Sequence, residues 1–385
     1  MASPPASVDI AAAPTSATPD GRGWSRSERR VAAGQLLLID QPAAGLAAAR
    51  SLGFTVLEER RLPALGLGVV RVGLPAGMAP GIGRSLLLQQ RPGIIVDYDD
   101  LYVPQGSFSL PPSDYARRLV AWGVAGRGCG AGLRLGIIDT QVSTRLPALA
   151  NAHLQRQSFG PPGADSAHGT AVAAILVGAN GIGLLPGATL LAGEIFGRDA
   201  AGDTVADAVA FAAALDWLVG QRTQAVNLSL AGHANQLVAA AVQRAAASGT
   251  ILVAAGGNDG PSAGPAYPAA YPEVMAVAAV DARSNPDPAG NRGRYIAFAA
   301  PGVQVWTPSG EGGQFNTGSS FAAPFVTAAV GAALLDGVPE DRRRIEARLA
   351  ADAVDLGAPG RDPVFGWGLI RARPSCALAT ASAAP

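Results

Sequence analysis

The sequence contains no lysine and little charge of either sign. All 29 basic residues among its 385 are arginines, 29 acidic residues balance them, and charged residues make up only 15% of the chain. Proteins that bind nucleic acids draw much of their affinity from clustered basic residues that neutralise phosphates. The charge balance therefore excludes DNA and RNA as main partners.

Cysteine and histidine are also scarce, with two cysteines and three histidines in the chain. Two cysteines exclude a disulfide-dense scaffold and a four-cysteine zinc site. The histidines, at positions 153, 168 and 233, match no metal-ligand spacing. We therefore predict no metal site, and we interpret His153 and His233 as loop residues without a functional role.

Long apolar runs are missing as well. No window reaches the roughly 18 to 20 consecutive apolar residues of a membrane-spanning helix, which argues against a chain that spans a bilayer. Residues 1–31 are rich in Ala, Pro, Ser and Thr, and we predict that they form a disordered arm. They contain no apolar core of a secretory signal, so a signal is either removed from this chain or absent.

Residues 32–104 show short strand and helix patterns in the order βαββαβ. The patterns predict strands at 35–39, 54–59, 67–72 and 93–98, and helices at 43–52 and 82–90. This arrangement predicts a small α+β, ferredoxin-like domain, close to the minimum size for an independent core. Residues 101–112 carry turn residues and little hydrophobic period, and we interpret them as a linker.

Residues 105–373 show the pattern of a larger α/β domain, followed by a tail at 374–385. Six runs are continuously apolar, at 133–138, 189–195, 224–230, 250–255, 274–280 and 295–299. Continuous hydrophobicity is typical of strands buried on both faces, which predicts a mainly parallel sheet covered by helices. The helices are expected at 168–177, 205–220, 236–248 and 320–335. In such sheets the functional residues follow the carboxyl ends of strands.

Four polar residues stand where this sheet predicts a site. Asp139 ends an apolar strand, His168 and Ser320 each open an apolar helix, and Asn258 follows a strand. A helix N-terminus favours developing negative charge, which suits a serine nucleophile. Each residue alone also has an ordinary interpretation: a turn or N-cap aspartate, a surface histidine, a left-handed asparagine and an N-cap serine.

Together the four residues favour an acyl-transfer site. The chain order Asp, His, Ser differs from the order Ser, acid, His of an α/β-hydrolase. The sequence closely resembles the subtilisin-like serine proteases, the subtilase family, over about residues 115–372. The motifs that carry this resemblance occur in family order: Asp139-Thr140, His168-Gly169-Thr170, Asn227-Leu228-Ser229-Leu230, Gly257-Asn258, Tyr267-Pro268, Ala300-Pro301-Gly302, Gly318-Ser319-Ser320 and Gly366-Trp367-Gly368.

The resemblance implies a subtilisin-like three-layer fold and a serine endopeptidase with Asp139, His168 and Ser320 as its triad. Asn258 would stabilise the oxyanion together with the Ser320 backbone N–H. Residues 32–104 resemble the family's propeptide, an inhibitor and chaperone, which implies an autoprocessed zymogen. An extended peptide or unfolded protein substrate would pair with residues 229–232 and 197–202. The pocket for the substrate side chain before the scissile bond is expected to accept an apolar group. It would be lined by Ser229, Leu230, Ala231, Gly232, Ala254, Ala255 and Gly256.

The resemblance leaves several points open. The loop at 177–187 is shorter than the segment that carries a calcium site in many relatives, so no calcium site is assigned. A secreted or periplasmic location is suspected from the family alone. A catalytically inactive, subtilase-like binding module is the alternative, although all four site residues are present. A nucleotide-binding protein is disfavoured because the glycines at 126–132 precede a strand.

Cys129 and Cys376 lie at the two ends of the larger domain. Domain termini often lie close together, but a disulfide requires Cα atoms within about 7 Å. A bridge and two free thiols are both open interpretations of the sequence.

Overall fold

The computed structural model describes residues 31–40, 43–104, 107–108, 115–161, 166–199, 202–310 and 312–378. The predicted arm at 1–31 lies outside these ranges except for its last residue, and the predicted tail lies outside them from residue 379 onward. Within the described residues, no helix is long and apolar enough to cross a membrane.

The N-terminal domain is a four-stranded antiparallel sheet with two helices, as the sequence predicts. The strand order is β2-β3-β1-β4. In β1, Leu36 and Leu38 belong to the core that this sheet forms with its helices, and Leu37 and Ile39 to a core on the opposite face. This alternation is the period of two that a strand requires. The elements are β1 Gln35–Ile39, α1 Ala43–Ser51, β2 Thr55–Leu62, β3 Leu67–Gly73, α2 Pro80–Gln90 and β4 Val96–Asp97.

The larger domain contains a seven-stranded parallel sheet in the order β17-β16-β15-β13-β8-β10-β9. Helices α4 and α7 cover one face, and α5 and α6 cover the other. The elements are β5 Leu101–Pro104, β6 Ser107–Phe108, α3 Tyr115–Leu119, β7 Val124–Ala125, β8 Arg134–Asp139, β9 His153–Ser158, α4 Ala167–Val177, β10 Thr189–Glu194, β11 Gly197–Arg198, β12 Thr204–Asp207, α5 Ala208–Gly220, β13 Ala225–Leu228, β14 Leu230–Ala231, α6 Gln236–Ala247, β15 Ile251–Ala255, β16 Val274–Val280, β17 Ile296–Pro301, β18 Val305–Ser309, β19 Gly312–Thr317, α7 Ser319–Leu335, α8 Arg342–Asp352 and β20 Ala377–Leu378.

Two predictions of local structure in this domain are wrong. His153, interpreted as a loop residue, is the first residue of strand β9. The helix expected from residue 205 begins at Ala208, because Asp207 caps it by accepting a hydrogen bond from the Ala210 N–H at 2.7 Å. The preceding residues form strand β12. Helix α7 begins at Ser319, one residue before its predicted start, and Pro324 is its sixth residue.

The N-terminal domain packs its open sheet face on helices α5 and α6. Leu37, Leu65 and Leu67 join the same apolar cluster as Phe211 and Leu215 of α5. The face of the N-terminal sheet that carries Leu36 and Leu38 therefore packs in the domain's own core. The face that carries Leu37 and Ile39 is buried by the larger domain.

The two cysteines form a disulfide. The Cα atoms of Cys129 and Cys376 are 5.0 Å apart, and 247 positions separate them in the sequence. Next to the bridge, Ala377 of β20 pairs with Ala125 of β7. In the chain-entropy model a loop of this length stabilises the fold by about 5 kcal/mol.

Candidate active site

His168 lies within hydrogen-bonding distance of both Asp139 and Ser320. The His168 Nδ1 atom is 2.7 Å from the Asp139 Oδ1 atom, and the His168 Nε2 atom is 3.0 Å from the Ser320 Oγ atom. Asp139 is the last residue of β8, and the other two are the second residues of α4 and α7. The structure thus brings the three predicted residues together at the carboxyl end of the sheet.

The end of β8 and the start of α4 are locked by close backbone contacts. The Thr140 N–H donates to Asp139 Oδ1 at 2.6 Å, and the Gly169 N–H donates to Thr140 Oγ1 at 2.8 Å. A Cβ atom on Gly169 would lie 2.4 Å from the Thr140 carbonyl oxygen, so this approach requires glycine. Asp139 Oδ1 bonds the Thr140 N–H and the His168 ring, so the aspartate contacts the histidine and is not a helix cap.

Burial and packing restrict the histidine ring further. The His168 side chain is 11% exposed and Asp139 is 1% exposed. The Phe321 ring packs against the imidazole with a centroid separation of 5.2 Å. A buried carboxylate on Nδ1 stabilises a protonated imidazole, while Nε2 faces the serine hydroxyl. The arrangement can transfer a proton from Ser320.

Asn258 lies against the start of α7. Its Oδ1 accepts a hydrogen bond from the Ser319 N–H at 2.9 Å, and the Gly257 N–H donates to Ser319 Oγ at 3.1 Å. Asn258 is not a left-handed asparagine, because the residue with positive φ at this turn is Gly257, at 109°. Ser320 is not an N-cap either, because that position is held by Gly318.

Two N–H donors lie at this point. The Nδ2 of Asn258 is buried and has no hydrogen-bond partner among the described residues. The Ser320 N–H is one of the first four amides of α7, which by helix geometry lack an intrahelical acceptor. Free donors beside a nucleophile can bind an oxyanion.

The seven predicted pocket residues lie on adjacent strands and are uncharged. Leu230 and Ala231 form β14, and Ala254 and Ala255 end β15, whose Ala254 is opposite Leu228 of β13. The Gly256 carbonyl accepts a hydrogen bond from the Tyr295 hydroxyl at 2.7 Å. Ser229 is fully buried, and its hydroxyl bonds the backbone of Ser320.

Strand β5 lies between the two strands that border the cleft. Its Pro104 and Val103 pair with Leu230 and Ala231 of β14, and its opposite edge pairs with β12. The sequence-based expectation that residues 197–202 would border the cleft is therefore wrong. Residues 197–198 form β11, which pairs with β12 on the outside of a hairpin.

A second segment of the chain pairs with the other side of the site, next to Ser320. Ser107 and Phe108 of β6 pair with Thr317 and Asn316 of β19, which leads directly into Ser320. Segments on both sides of residues 105–106, which lie outside the described residues, therefore pair with the walls of one site. Residues 101–104, predicted as part of a linker, are a strand in the cleft.

Tyr102 anchors β5 in this cleft. It is fully buried, and its ring stacks on Phe211 with a centroid separation of 5.9 Å. A Cβ atom on Gly232 would lie 2.7 Å from the tyrosine ring, so the absence of a side chain at residue 232 makes room for it.

An acidic run of the N-terminal domain binds the starts of two helices of the larger domain. The Gln236 N–H at the start of α6 donates to Asp97 Oδ2 at 2.7 Å, and the Ala208 N–H at the start of α5 donates to Asp99 Oδ1 at 3.2 Å. Carboxylates at helix N-termini satisfy free N–H groups and interact favourably with the helix dipole. Sequence reasoning missed these contacts, although the run Asp97-Tyr98-Asp99-Asp100 is visible.

A buried charge cluster lies at the same contact. The Arg71 guanidinium is within 3.0 Å of carboxylate oxygens of Glu58, Asp99 and Asp207. The Arg71 side chain is 7% exposed and the Asp99 side chain is fully buried. Burial, and then the nearby Asp207 carboxylate, raises the pKa of Asp99 to about 8.

The loop at 181–183 binds a guanidinium. Arg117 is buried, and its Nη1 donates to the carbonyl oxygens of Gly181, Ile182 and Gly183 at 2.8 to 3.1 Å. Its Nη2 donates to the Gly123 carbonyl at 2.6 Å. Carbonyls that could ligate a cation are therefore bonded to a charged side chain. Within the described ranges, no three acidic, His or Cys side chains are grouped to hold a metal ion.

The sequence is similar to known proteases. The subtilase family model matches residues 130–368. Minor extracellular protease Epr of Bacillus subtilis (strain 168) is 34% identical over 215 residues, which cover 54% of this chain and 32% of that protein. Subtilisin DY of Bacillus licheniformis is 31% identical over 242 residues, which cover 59% of this chain and 86% of the relative.

The fold is similar to that of a solved structure. Fervidolysin from Fervidobacterium pennivorans, a keratinolytic enzyme related to subtilisin, matches with a TM-score of 0.74 at 22% sequence identity. The match covers 92% of this chain and 61% of that chain. The chain thus spans about a third of the length of Epr and less than two thirds of fervidolysin.

Proposed function

The chain belongs to the subtilase family of serine endopeptidases, and we propose that it hydrolyses peptide bonds through Ser320, His168 and Asp139. The observation that carries the proposal is the continuous pair of contacts, 3.0 Å from Ser320 Oγ to His168 Nε2 and 2.7 Å from His168 Nδ1 to Asp139. This is the arrangement that activates a serine hydroxyl near neutral pH.

The reaction proceeds through an acyl-enzyme. Ser320 Oγ bonds to the scissile carbonyl carbon while His168 takes its proton, and Asp139 stabilises the resulting imidazolium. The carbon–nitrogen bond then breaks, and His168 returns the proton to the leaving amine. Water repeats the sequence and releases the acid. The two free donors, Asn258 Nδ2 and the Ser320 N–H, bind the oxyanion of each tetrahedral intermediate.

We further propose that the chain is a zymogen that cleaves itself. The support is the position of β5 and β6, which pair with the walls of the cleft on both sides of the nucleophile. An extended segment paired on both walls is bound as a substrate would be. The N-terminal domain would then remain as an inhibitor, and its contacts with α5 and α6 would assist folding.

The pairing of the two flanking strands points to the interval that is cut. Pro104 pairs with Leu230, and Ser107 pairs with Thr317. Leu230 follows Ser229, whose hydroxyl bonds the Ser320 carbonyl, and Thr317 lies three residues before Ser320. We therefore propose cleavage between Pro104 and Ser107, with the mature enzyme beginning at one of residues 105–107.

The substrates proposed for the mature enzyme are extended peptides and unfolded proteins. The uncharged pocket residues support an apolar side chain before the scissile bond in other substrates. The cysteine bridge supports an oxidising, extracytoplasmic compartment. We propose that the loop at 181–183 takes no calcium, because Arg117 supplies the cation that its carbonyls bond.

The test compares wild type with Ser320→Ala by intact mass and N-terminal sequencing. Self-cleavage predicts a mature chain beginning at one of residues 105–107 in wild type and a full-length chain in the variant. Equal sizes for the two proteins would contradict the zymogen. A mature chain with another N-terminus would contradict the assigned interval alone.

A further inference from the structure

The Ser320 carbonyl group is deprived of its normal helix partner. In an α-helix this carbonyl would accept a bond from the N–H four residues on, but that residue is Pro324, which has no N–H. The Ser229 hydroxyl donates to the Ser320 carbonyl oxygen at 2.9 Å. Ser229 and Ser320 are both fully buried, so an unpaired carbonyl there would be costly. The hydroxyl replaces the missing helix bond.

The serine hydroxyl is itself held by two buried side chains. Asn227 Nδ2 donates to Ser229 Oγ at 2.7 Å. The Thr327 hydroxyl shares its one proton between Asn227 Oδ1 at 3.1 Å and the Ala323 carbonyl oxygen at 3.2 Å. Thr327 and Asn227 are fully buried as well. The bonds run in one direction, from Thr327 through Asn227 and Ser229 to Ser320, so each donor polarises the next. The chain begins and ends on α7 and connects two of its turns through the end of β13.

We propose that Ser229, held by Asn227 and Thr327, is a positioning residue for the nucleophile, an inference that rests on the proposed role of Ser320. The Ser320 carbonyl belongs to the same residue as the attacking Oγ and the N–H that faces the oxyanion. Fixing that carbonyl fixes the direction of both groups. A displacement of about 1 Å at a reacting group can cost as much as 10²-fold in rate, so a single hydrogen bond at this point affects kcat.

Pro324 allows a rescue experiment. Recovery of kcat in this experiment distinguishes a positioning role of Ser229 from a merely structural one. Ser229→Ala removes the hydroxyl, and Pro324→Ala in that background restores a backbone N–H that can bond the Ser320 carbonyl. The measurements are kcat and KM on a chromogenic peptide, per active site counted with a fluorophosphonate label, so that misfolded protein is not counted. Pro324→Ala with Ser229 intact is the control.

We expect Ser229→Ala to lower kcat about tenfold with KM changed less than about twofold. The double variant should recover to within about threefold of the Pro324→Ala control. Thr327→Val should lower kcat about threefold and add nothing to Ser229→Ala, because both act through one hydrogen-bond chain. A Ser229→Ala kcat within twofold of wild type, or a double variant as slow as Ser229→Ala, would overturn the positioning role. A wild-type protein that takes no label and cleaves no peptide would instead overturn the proposed function.

Discussion

Replacing Arg71 with methionine should release the N-terminal domain from the larger domain. Arg71 is 7% exposed and contacts Asp99 of its own domain and Asp207 of the other. Its loss leaves the fully buried Asp99 and the partly exposed Asp207 without their shared cation in the docked state. Removing one partner of a buried ion pair costs about 3 to 5 kcal/mol. At about 1.4 kcal/mol per factor of ten, docking should weaken by about 10²-fold to 4 × 10³-fold.

The assay is the release rate of the N-terminal domain from the self-cleaved complex at pH 8, followed as the appearance of peptide hydrolysis. Affinity changes within one interface are found mainly in the dissociation rate. The matched control is Arg60→Met. The Arg60 side chain is 36% exposed and pairs with Glu58. A surface pair contributes about 0 to 1 kcal/mol, so the control should change the rate by less than about fivefold. Release less than about tenfold faster in Arg71→Met would refute the reasoning.

Three further predictions concern the same molecule. The pKa of Asp99 is raised from 3.8 to about 8 in the docked state. Between about pH 4 and 8 the docked state therefore holds a proton that the separated domain has lost. Docking should weaken as pH rises through this range, and its affinity should become constant above about pH 8. Release rates between pH 5 and 9 test this, and Asp99→Asn should flatten the profile; an equally steep profile in the variant would exclude Asp99 as the cause. Asn258→Leu should lower kcat by about 10² to 10³ with little change in KM, a magnitude carried over from subtilisin, a relative of this chain. A loss of tenfold or less would mean that another donor binds the oxyanion. Chelation with EDTA should leave the Tm of the wild type unchanged. Arg117→Met should lower Tm, since four carbonyls lose their hydrogen-bond donor. A clear fall in the Tm of the wild type on chelation would show a structural calcium.

The three residues of the candidate site could be expected to come together from the sequence because each one follows a signal of local origin. Asp139 ends a continuously apolar strand, and the helices that carry His168 and Ser320 are apolar on all sides and therefore buried. Parallel strands bring such ends together without any further information.

The strand in the cleft could not be predicted, because its stability comes from its neighbours. Strand β5 has four residues and ends in Pro104, which lacks a backbone N–H for the ladder. Its pairing depends on β12 and β14, which lie about a hundred residues further along the chain. Strand β9 was missed for a different reason: it is a polar, mostly exposed edge strand without an apolar run.

The contacts of the acidic run were also beyond local reasoning. Aspartates between a strand and a turn are ordinary surface residues by pattern. Asp97 and Asp99 gain their partners only when the N-terminal sheet docks on α5 and α6. The polar chain behind Ser320 depends likewise on β13 and α7 lying against each other.

The central claim is that Ser320 is a nucleophile activated by His168. Mass spectrometry of the protein after treatment with a fluorophosphonate tests it most directly, because the reagent reacts with a serine that has an adjacent base. We predict a single adduct, on Ser320, with none in Ser320→Ala and a greatly slowed reaction in His168→Ala. An adduct on another residue, or labelling that persists in Ser320→Ala, would contradict the account.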